Sequence, residues 1–163
     1  MAKTLETKKC EKALWGYSQN MGTFGCFEVK IGFDIKNIEI VDYITINTKS
    51  EIRAYEIKVS ENDFNSSAKL SFVGDYNYMV MPKELFEKLR DKKNEKLSRL
   101  MFSGVGFLTV DERGAIGLVR KPNKKMIYIE DKIKIQSSIL RSLSREVKKA
   151  YKQNPYWEEI KND

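Results

Sequence analysis

The sequence predicts an α/β fold in one domain, a mixed central sheet flanked by helices. Three observations carry that expectation. Short apolar runs bounded by turn residues alternate with segments of helical period. The chain, 163 residues long, is large enough to bury a core without disulfide or metal staples. No repeat, linker or low-complexity stretch divides it. The domain is therefore taken as 1–163, with the sheet core at about 4–120 and a basic helix at about 135–152.

Residues 4–18 place Leu5, Ala13, Leu14 and Tyr17 among lysines and glutamates, an amphipathic helix ended by SQNMG. FGCFEVKIGF (24–33) reads as a strand and DIKN (34–37) as a turn. Strands at about 38–46 and 51–59 flank the turn-like NTKS. Ser60 stands where a helix N-cap belongs, with Asp63 three residues on, and the helix it opens is expected to reach about Phe72. YNYMVM (76–81) is a further strand, and Pro82 occupies the first position of a helix in PKELFEKLRDK. Residues 91–100 read either as a continuation of that helix or as a loop. GVGFLTV and AIGLVRK, joined by DERG, form a hairpin. From about Ile135 the apolar set Ile135, Ile139, Leu140, Leu143, Val147 and Tyr151 has helical spacing, and the tail NPYWEEIKND is expected to be peripheral.

The net charge is +7, and its position matters more than its size. Between Arg120 and Lys152 eleven Lys/Arg stand against three Asp/Glu, so the rest of the chain carries minus one. Arg141, Arg145, Lys148, Lys149 and Lys152 fall largely outside the apolar stripe, as either a polyanion-binding face or a solvated one. No histidine is present, which removes Ser-His-Asp and Cys-His catalysis, histidine-ligated zinc and histidine-based nucleases. The glycines of GVGFLTVDERG lack phosphate-loop spacing. The absence of a membrane-length apolar run and of a signal-like start, with only Cys10 and Cys26, leads to the expectation of a cytoplasmic protein with reduced thiols. Chemistry is left to carboxylates, lysines, tyrosines, serines or a carboxylate-bound metal.

One stretch, IVDYITINTKSEIRAYEIKVS (40–60), carries charges that a core-facing strand does not want. Alternation points Glu56 and Lys58 one way and Tyr55 and Ile57 the other. A two-residue turn at Thr48-Lys49 would set Asp42 against Tyr55, with Glu56 on the opposite face. A three-residue loop, Thr48 to Ser50, or one bulge brings Asp42 beside Glu56. With that register, two carboxylates adjoin one ammonium. A hard divalent cation such as Mg²⁺ satisfies such a pair, and Lys58 can orient a water or offset charge on phosphorus.

The stretch VDYITINTKSEIRAYEIK resembles the D…(D/E)-x-K signature of the PD-(D/E)XK nuclease superfamily. Its continuation EIKVSENDF…KLSFVGDYNYMVMP is similar to the MmcB-like DNA-repair branch and to phage-type relatives, over roughly residues 24–90. Val41 stands where the superfamily name puts a proline, which ligates no metal. The resemblance implies a restriction-endonuclease-like core, with Asp42 and Glu56 as Mg²⁺ or Mn²⁺ ligands, the Ile57 carbonyl as a further ligand and Lys58 as the catalytic lysine. Glu28 is either a third carboxylate ligand or an exposed strand residue paired with Lys30 or Lys36. Lys69 is read as a phosphate contact or a solvated helix lysine, Tyr76 and Tyr78 as base-stacking or sheet residues, and Asp63 as a capping residue.

Two functions follow as expectations. The first is a metal-dependent nuclease acting on DNA ahead of RNA, in repair, recombination or phage nucleic-acid processing, with Lys69, Arg141, Arg145, Lys148 and Lys149 holding the polymer. The second is a nuclease-fold protein without turnover that binds nucleic acid or inhibits a host defence enzyme. A homodimer is compatible with either, and no membrane partner is expected.

Overall fold

The computed structural model describes residues 2–32 and 38–157, so the turn expected at 34–37 and the last six residues lie outside the described residues. Helix α1 (Leu5–Tyr17) leads into β1 (Thr23–Ile31), β2 (Glu39–Asn47) and β3 (Ile52–Ile57). A short helix α2 (Glu61–Asn65) precedes β4 (Tyr76–Pro82), helices α3 (Lys83–Asp91) and α4 (Glu95–Phe102), the hairpin β5 (Gly106–Val110) and β6 (Ile116–Arg120), and α5 (Ile129–Gln153). The six strands form one sheet in chain order. β1, β2 and β3 are an antiparallel meander, β3, β4 and β5 run parallel, and β6 returns antiparallel. This is the single α/β layer arrangement expected, with helices on both faces. No helix among the described residues is long and apolar enough to cross a membrane.

Helix α1 covers one face by burying Cys10 and Leu14, one turn apart, against Tyr43, Tyr55, Ile57, Val80 and Leu108. The opposite face carries two clusters. Ile135 and Ile139 of α5 pack on Val29, Ile44, Ile52 and Ala54. Phe64, Leu85, Phe86, Leu89 and Leu97 of α2, α3 and α4 pack on Met79, Met81 and Phe107. Cys10 and Cys26 are both buried free thiols.

The loop between β2 and β3 takes the odd length that the site needs. Tyr43 pairs with Tyr55 and Ile46 with Ile52, a register in which three residues, Thr48 to Ser50, close the hairpin. Asn47 Oδ1 accepts from the N–H groups of Lys49 and Glu51 (both 3.0 Å), while Ser50 takes φ +58°. A turn followed by one left-handed residue is a standard three-residue hairpin closure. Buried Asp75 anchors it from the side, accepting from Ile52 N–H at 2.8 Å and pairing with Lys132 at 3.1 Å. Lys132 also donates to the Ser50 carbonyl at 3.0 Å, which ties α5 to the hairpin. Ser50→Gly removes left-handed strain without touching these bonds, and is expected to raise stability by about 0.5–1 kcal/mol in a urea or thermal melt.

Some expected elements differ. The helix opened by Ser60 ends at Asn65 instead of Phe72. Asn65, Ser66 and Ser67 are weak helix formers, and the Ser66 hydroxyl donates back to the Asp63 carbonyl at 2.8 Å. Leu70 and Phe72 pack on the core from an irregular segment instead, so Lys69 is not a helical residue. Pro82 ends β4 and caps α3 rather than opening it. Residues 91–100 break at Lys92–Asn94, where Lys93 has φ +52°, and re-form as α4. Helix α5 starts six residues before the expected position, at Ile129. Tyr156 and Trp157 of the tail are not detached: their rings lie 5.8 and 5.5 Å from that of Tyr151.

Candidate active site

The ends of β2 and β3 split apart where the site lies. Paired residues run as far as Tyr43↔Tyr55, and the ladder ends one step short of Asp42 and Glu56. There the Asp42 carboxylate replaces a backbone acceptor: its Oδ2 takes the Ile57 N–H at 2.7 Å. On the other side of β3, Lys58 N–H still bonds the Val80 carbonyl of β4 at 2.9 Å. Asp42 thus fills the fork between two strands, held by a backbone donor rather than by solvent.

Glu56 pairs in register with Met79, which points it to the face shared by the two core clusters, at the seam between them. It is 4% exposed, and its Oε1 accepts from Ser71 N–H at 3.1 Å. The irregular course of residues 66–75 is what makes that N–H available. Burial first, then the neighbouring Asp42 charge, pushes the Glu56 carboxyl up to about 7, against the opposing Ser71 bond and Lys58. Burial also raises Asp42, outweighing the Ile57 bond and Lys58.

Lys58, immediately beyond β3, is largely buried and meets Asp63 at 3.1 Å. Asp63 does less capping than its position suggests. Ser60 Oγ accepts the Asp63 N–H at 3.1 Å, but the Asp63 carboxylate goes to Lys58 instead of reaching back to the N-cap. Ser60→Ala is expected to cost about 1 kcal/mol in a denaturant melt.

Asp42, Ile57, Lys58 and Asp63 line a cavity of about 230 Å³ with Lys3, Thr7 and Glu11 from α1 and its approach, and Glu28 from β1. Glu28 stands in the left-handed region (φ +53°), unusual within a strand, and pairs with Lys3 at 2.8 Å. That settles its partner as Lys3, not Lys30; Lys36 lies outside the described residues. Four carboxylates face two ammoniums across this cavity, with Glu56 buried behind the wall and not part of it. Lys3 and Glu11 were invisible to sequence reading, because nothing local links the chain's start to β3.

Among the described residues no three His, Cys, Asp or Glu side chains are grouped as a ready metal cage. A magnesium ion, however, uses one or two carboxylates and fills its remaining positions with water and phosphate oxygens. Asp42 and Glu56 each have one oxygen engaged by a backbone N–H, which leaves Asp42 Oδ1 and Glu56 Oε2 as acceptors. Two carboxyl groups raised by burial, with Asp42 close enough to raise Glu56 further, are a donor set that a hard divalent cation would satisfy.

The other expected residues lie elsewhere. Lys69 contacts Glu39 and is exposed. Tyr78 stacks on Tyr55 (4.9 Å, 14°), and Arg53 lies over the Tyr76 ring at 5.1 Å, so both tyrosines are packed on the sheet. Arg141, Arg145, Lys148 and Lys149 line a groove of about 590 Å³ along α5 with Leu140, Ser144 and Lys152. Part of this charge is answered locally, since Arg145 and Lys149 both reach Glu146.

Fold and site define a single-domain α/β protein whose sheet fork holds two adjacent carboxylates and a lysine. No protein-family model matches the chain, and no curated protein matches it. Among solved structures it is similar to the SPO1766 protein of unknown function from Silicibacter pomeroyi, with a TM-score of 0.69 and 15% identity. That likeness covers 95% of this chain and 96% of the other. At such identity it is a likeness of fold alone.

Proposed function

We propose that this protein is a Mg²⁺- or Mn²⁺-dependent deoxyribonuclease of the PD-(D/E)XK type, a cytoplasmic enzyme of DNA repair, recombination or phage nucleic-acid processing. The single observation that supports the reading is the Asp42 carboxylate held on the Ile57 N–H at 2.7 Å, between Glu56 and Lys58 in the chain and close enough for its charge to act on Glu56. Asp42, Glu56 and the Ile57 carbonyl would hold the ion, and Glu28 stands across the cavity from Asp42. When bound, such an ion polarises a phosphate and acidifies a coordinated water.

The chain's own residues supply the rest. Lys58 carries a positive charge into an acid-lined cavity and can align the attacking water or stabilise charge gathering on the phosphoryl oxygens. The water oxygen bonds to phosphorus and gives up a proton to solvent, the phosphorus–oxygen bond to the leaving strand breaks, and the departing oxygen takes a proton from solvent. Asp63 positions the Lys58 ammonium through their ion pair. The basic groove on α5 supplies phosphate contacts away from the reacting atoms.

Incubation of supercoiled, single-stranded and branched DNA with Mg²⁺ or Mn²⁺ tests the reading; absence of cleavage with all three substrates would overturn it. Binding should weaken steeply with salt, with a log–log slope of about −3 to −4 if four groove residues meet phosphates. The double variant Arg145→Glu, Lys148→Glu should flatten that slope by about 2.

A second reading is favoured by the burial of Glu56 behind the cavity wall and by the engagement of Lys58 with Asp63. It is a nuclease fold without turnover, serving to bind nucleic acid or to inhibit a host enzyme. Under it, DNA remains intact and any tight protein partner binds with little dependence on salt.

A further inference from the structure

Helix α5 buries one side, through Ile135, Ser138, Ile139 and Ser142, and leaves a second apolar side uncovered. Ile129, Ile133, Leu140, Val147 and Tyr151 are 70, 56, 67, 48 and 45% exposed. With 3.6 residues per turn they form one stripe about 33 Å long, roughly 150° around the helix from the buried side. A helix serving only to cover the sheet carries polar residues there. Contiguous apolar strips of this kind mark contact surfaces.

The spacing identifies the occupant. Counted from Leu140, the stripe lies at −11, −7, 0, +7 and +11, and so reads identically in both directions. Steps of seven are the spacing of a helix–helix seam. An antiparallel copy of α5, turned about a two-fold axis at Leu140, sets Leu140 on its own counterpart and Ile133 on Val147 of the second copy. Ile129 then meets Tyr151 of the second copy, where Tyr156 and Trp157 widen the apolar surface.

Charge agrees with this arrangement. Glu130 and Lys148 lie on the same flank of the stripe, and the two-fold brings each Glu130 within one turn of the other copy's Lys148. Gln136, Ser137 and Ser144 border the stripe as neutral residues, with Lys132 and Arg141 further round the helix on either side. Opposed helix dipoles add to the pairing.

We infer that this protein is a homodimer whose interface is α5 packed antiparallel against α5 of a second copy, centred on Leu140. The same two-fold covers Leu140 and Ser144 at one wall of the basic groove and keeps Arg141, Arg145 and Lys152 of both copies on one side of the pair, outside the seam. A basic surface shared by two copies is a consequence that rests on the polynucleotide reading above; the dimer does not rest on it.

Sedimentation equilibrium of the full chain, without metal or DNA, is the test, so its outcome is independent of any nuclease activity. The expected result is a shift from 19.0 kDa toward twice that mass with rising concentration. Leu140→Glu should weaken association by about tenfold or more, as loss of a central anchor does, with an unchanged circular dichroism spectrum. Ile133→Glu and Val147→Lys should each weaken it, and the two combined in one chain should restore it, because the new acid and base face each other across the two-fold. A mass fixed at 19.0 kDa throughout, undiminished dimerisation of Leu140→Glu, or a double variant weaker than either single one overturns the inference.

Discussion

Lys58→Ala is expected to lower metal-dependent DNA cleavage by about 10²–10⁴-fold, the range set by loss of one positioned proton-transfer or charge-stabilising group. Lys58 is the amine that the fold brings to the fork. It follows β3 directly, its backbone is held by Val80, and its ammonium is held by Asp63 at 3.1 Å. Truncation leaves that architecture in place and removes only the positive charge facing Asp42. DNA affinity should therefore change little, since the α5 groove is untouched, and the loss should fall on kcat. Asp63→Asn separates positioning from chemistry. It keeps the ammonium but loosens its anchor, so its activity should lie between wild type and Lys58→Ala. Cleavage by Lys58→Ala at the wild-type rate would end the catalytic assignment.

Glu56→Gln is expected to raise stability while abolishing cleavage. In the metal-free protein the Glu56 carboxyl sits at about 7, against an ordinary 4.5, because it is buried beside Asp42. Since the folded value lies above the unfolded one, the folded state binds the proton more tightly. Below pH 4.5 both states are protonated and burial carries no charge penalty. Between 4.5 and about 7 the wild type loses stability as pH rises, by about 3 kcal/mol in all. Glutamine keeps an oxygen for the Ser71 N–H and carries no charge. Its advantage should therefore be absent at about pH 4 and approach roughly 3 kcal/mol at about pH 8 in urea melts. If Glu56 is a metal ligand as proposed, added Mg²⁺ should recover much of that stability for the wild type at pH 8 and little for Glu56→Gln, whose neutral amide would be the poorer ligand. Equal melting of the two proteins across this pH range would show that Glu56 is not held as a buried acid.

These two residues also mark how far the sequence could be read. The alternation of strand side chains sets Glu56 and Lys58 two apart, and the odd loop length needed to bring Asp42 level was deducible from counting alone. Counting could not choose between the even and odd loop. That choice is made by Asn47, which organises the turn with its side chain, and by Asp75 and Lys132, which clamp it from distant parts of the chain. The helix from Ser60 was legible at its cap and not at its end, because Leu70 and Phe72 keep an apolar pattern while packing from irregular backbone.

Local chemistry thus determined most elements: helix caps, strand alternation, the hairpins and the clustering of positive charge in α5 are short-range properties of the chain. The tertiary structure decided what those elements enclose. Lys3 and Glu11 reach the cavity only because α1 packs on the sheet, Glu28 enters it from the left-handed turn of β1, and Ser71 meets Glu56 only because the segment after α2 abandons helix. The physical reason is range. A cap or a pleat is set by a few neighbouring dihedrals, whereas the charge state of a carboxylate is set by whatever the rest of the molecule places around it.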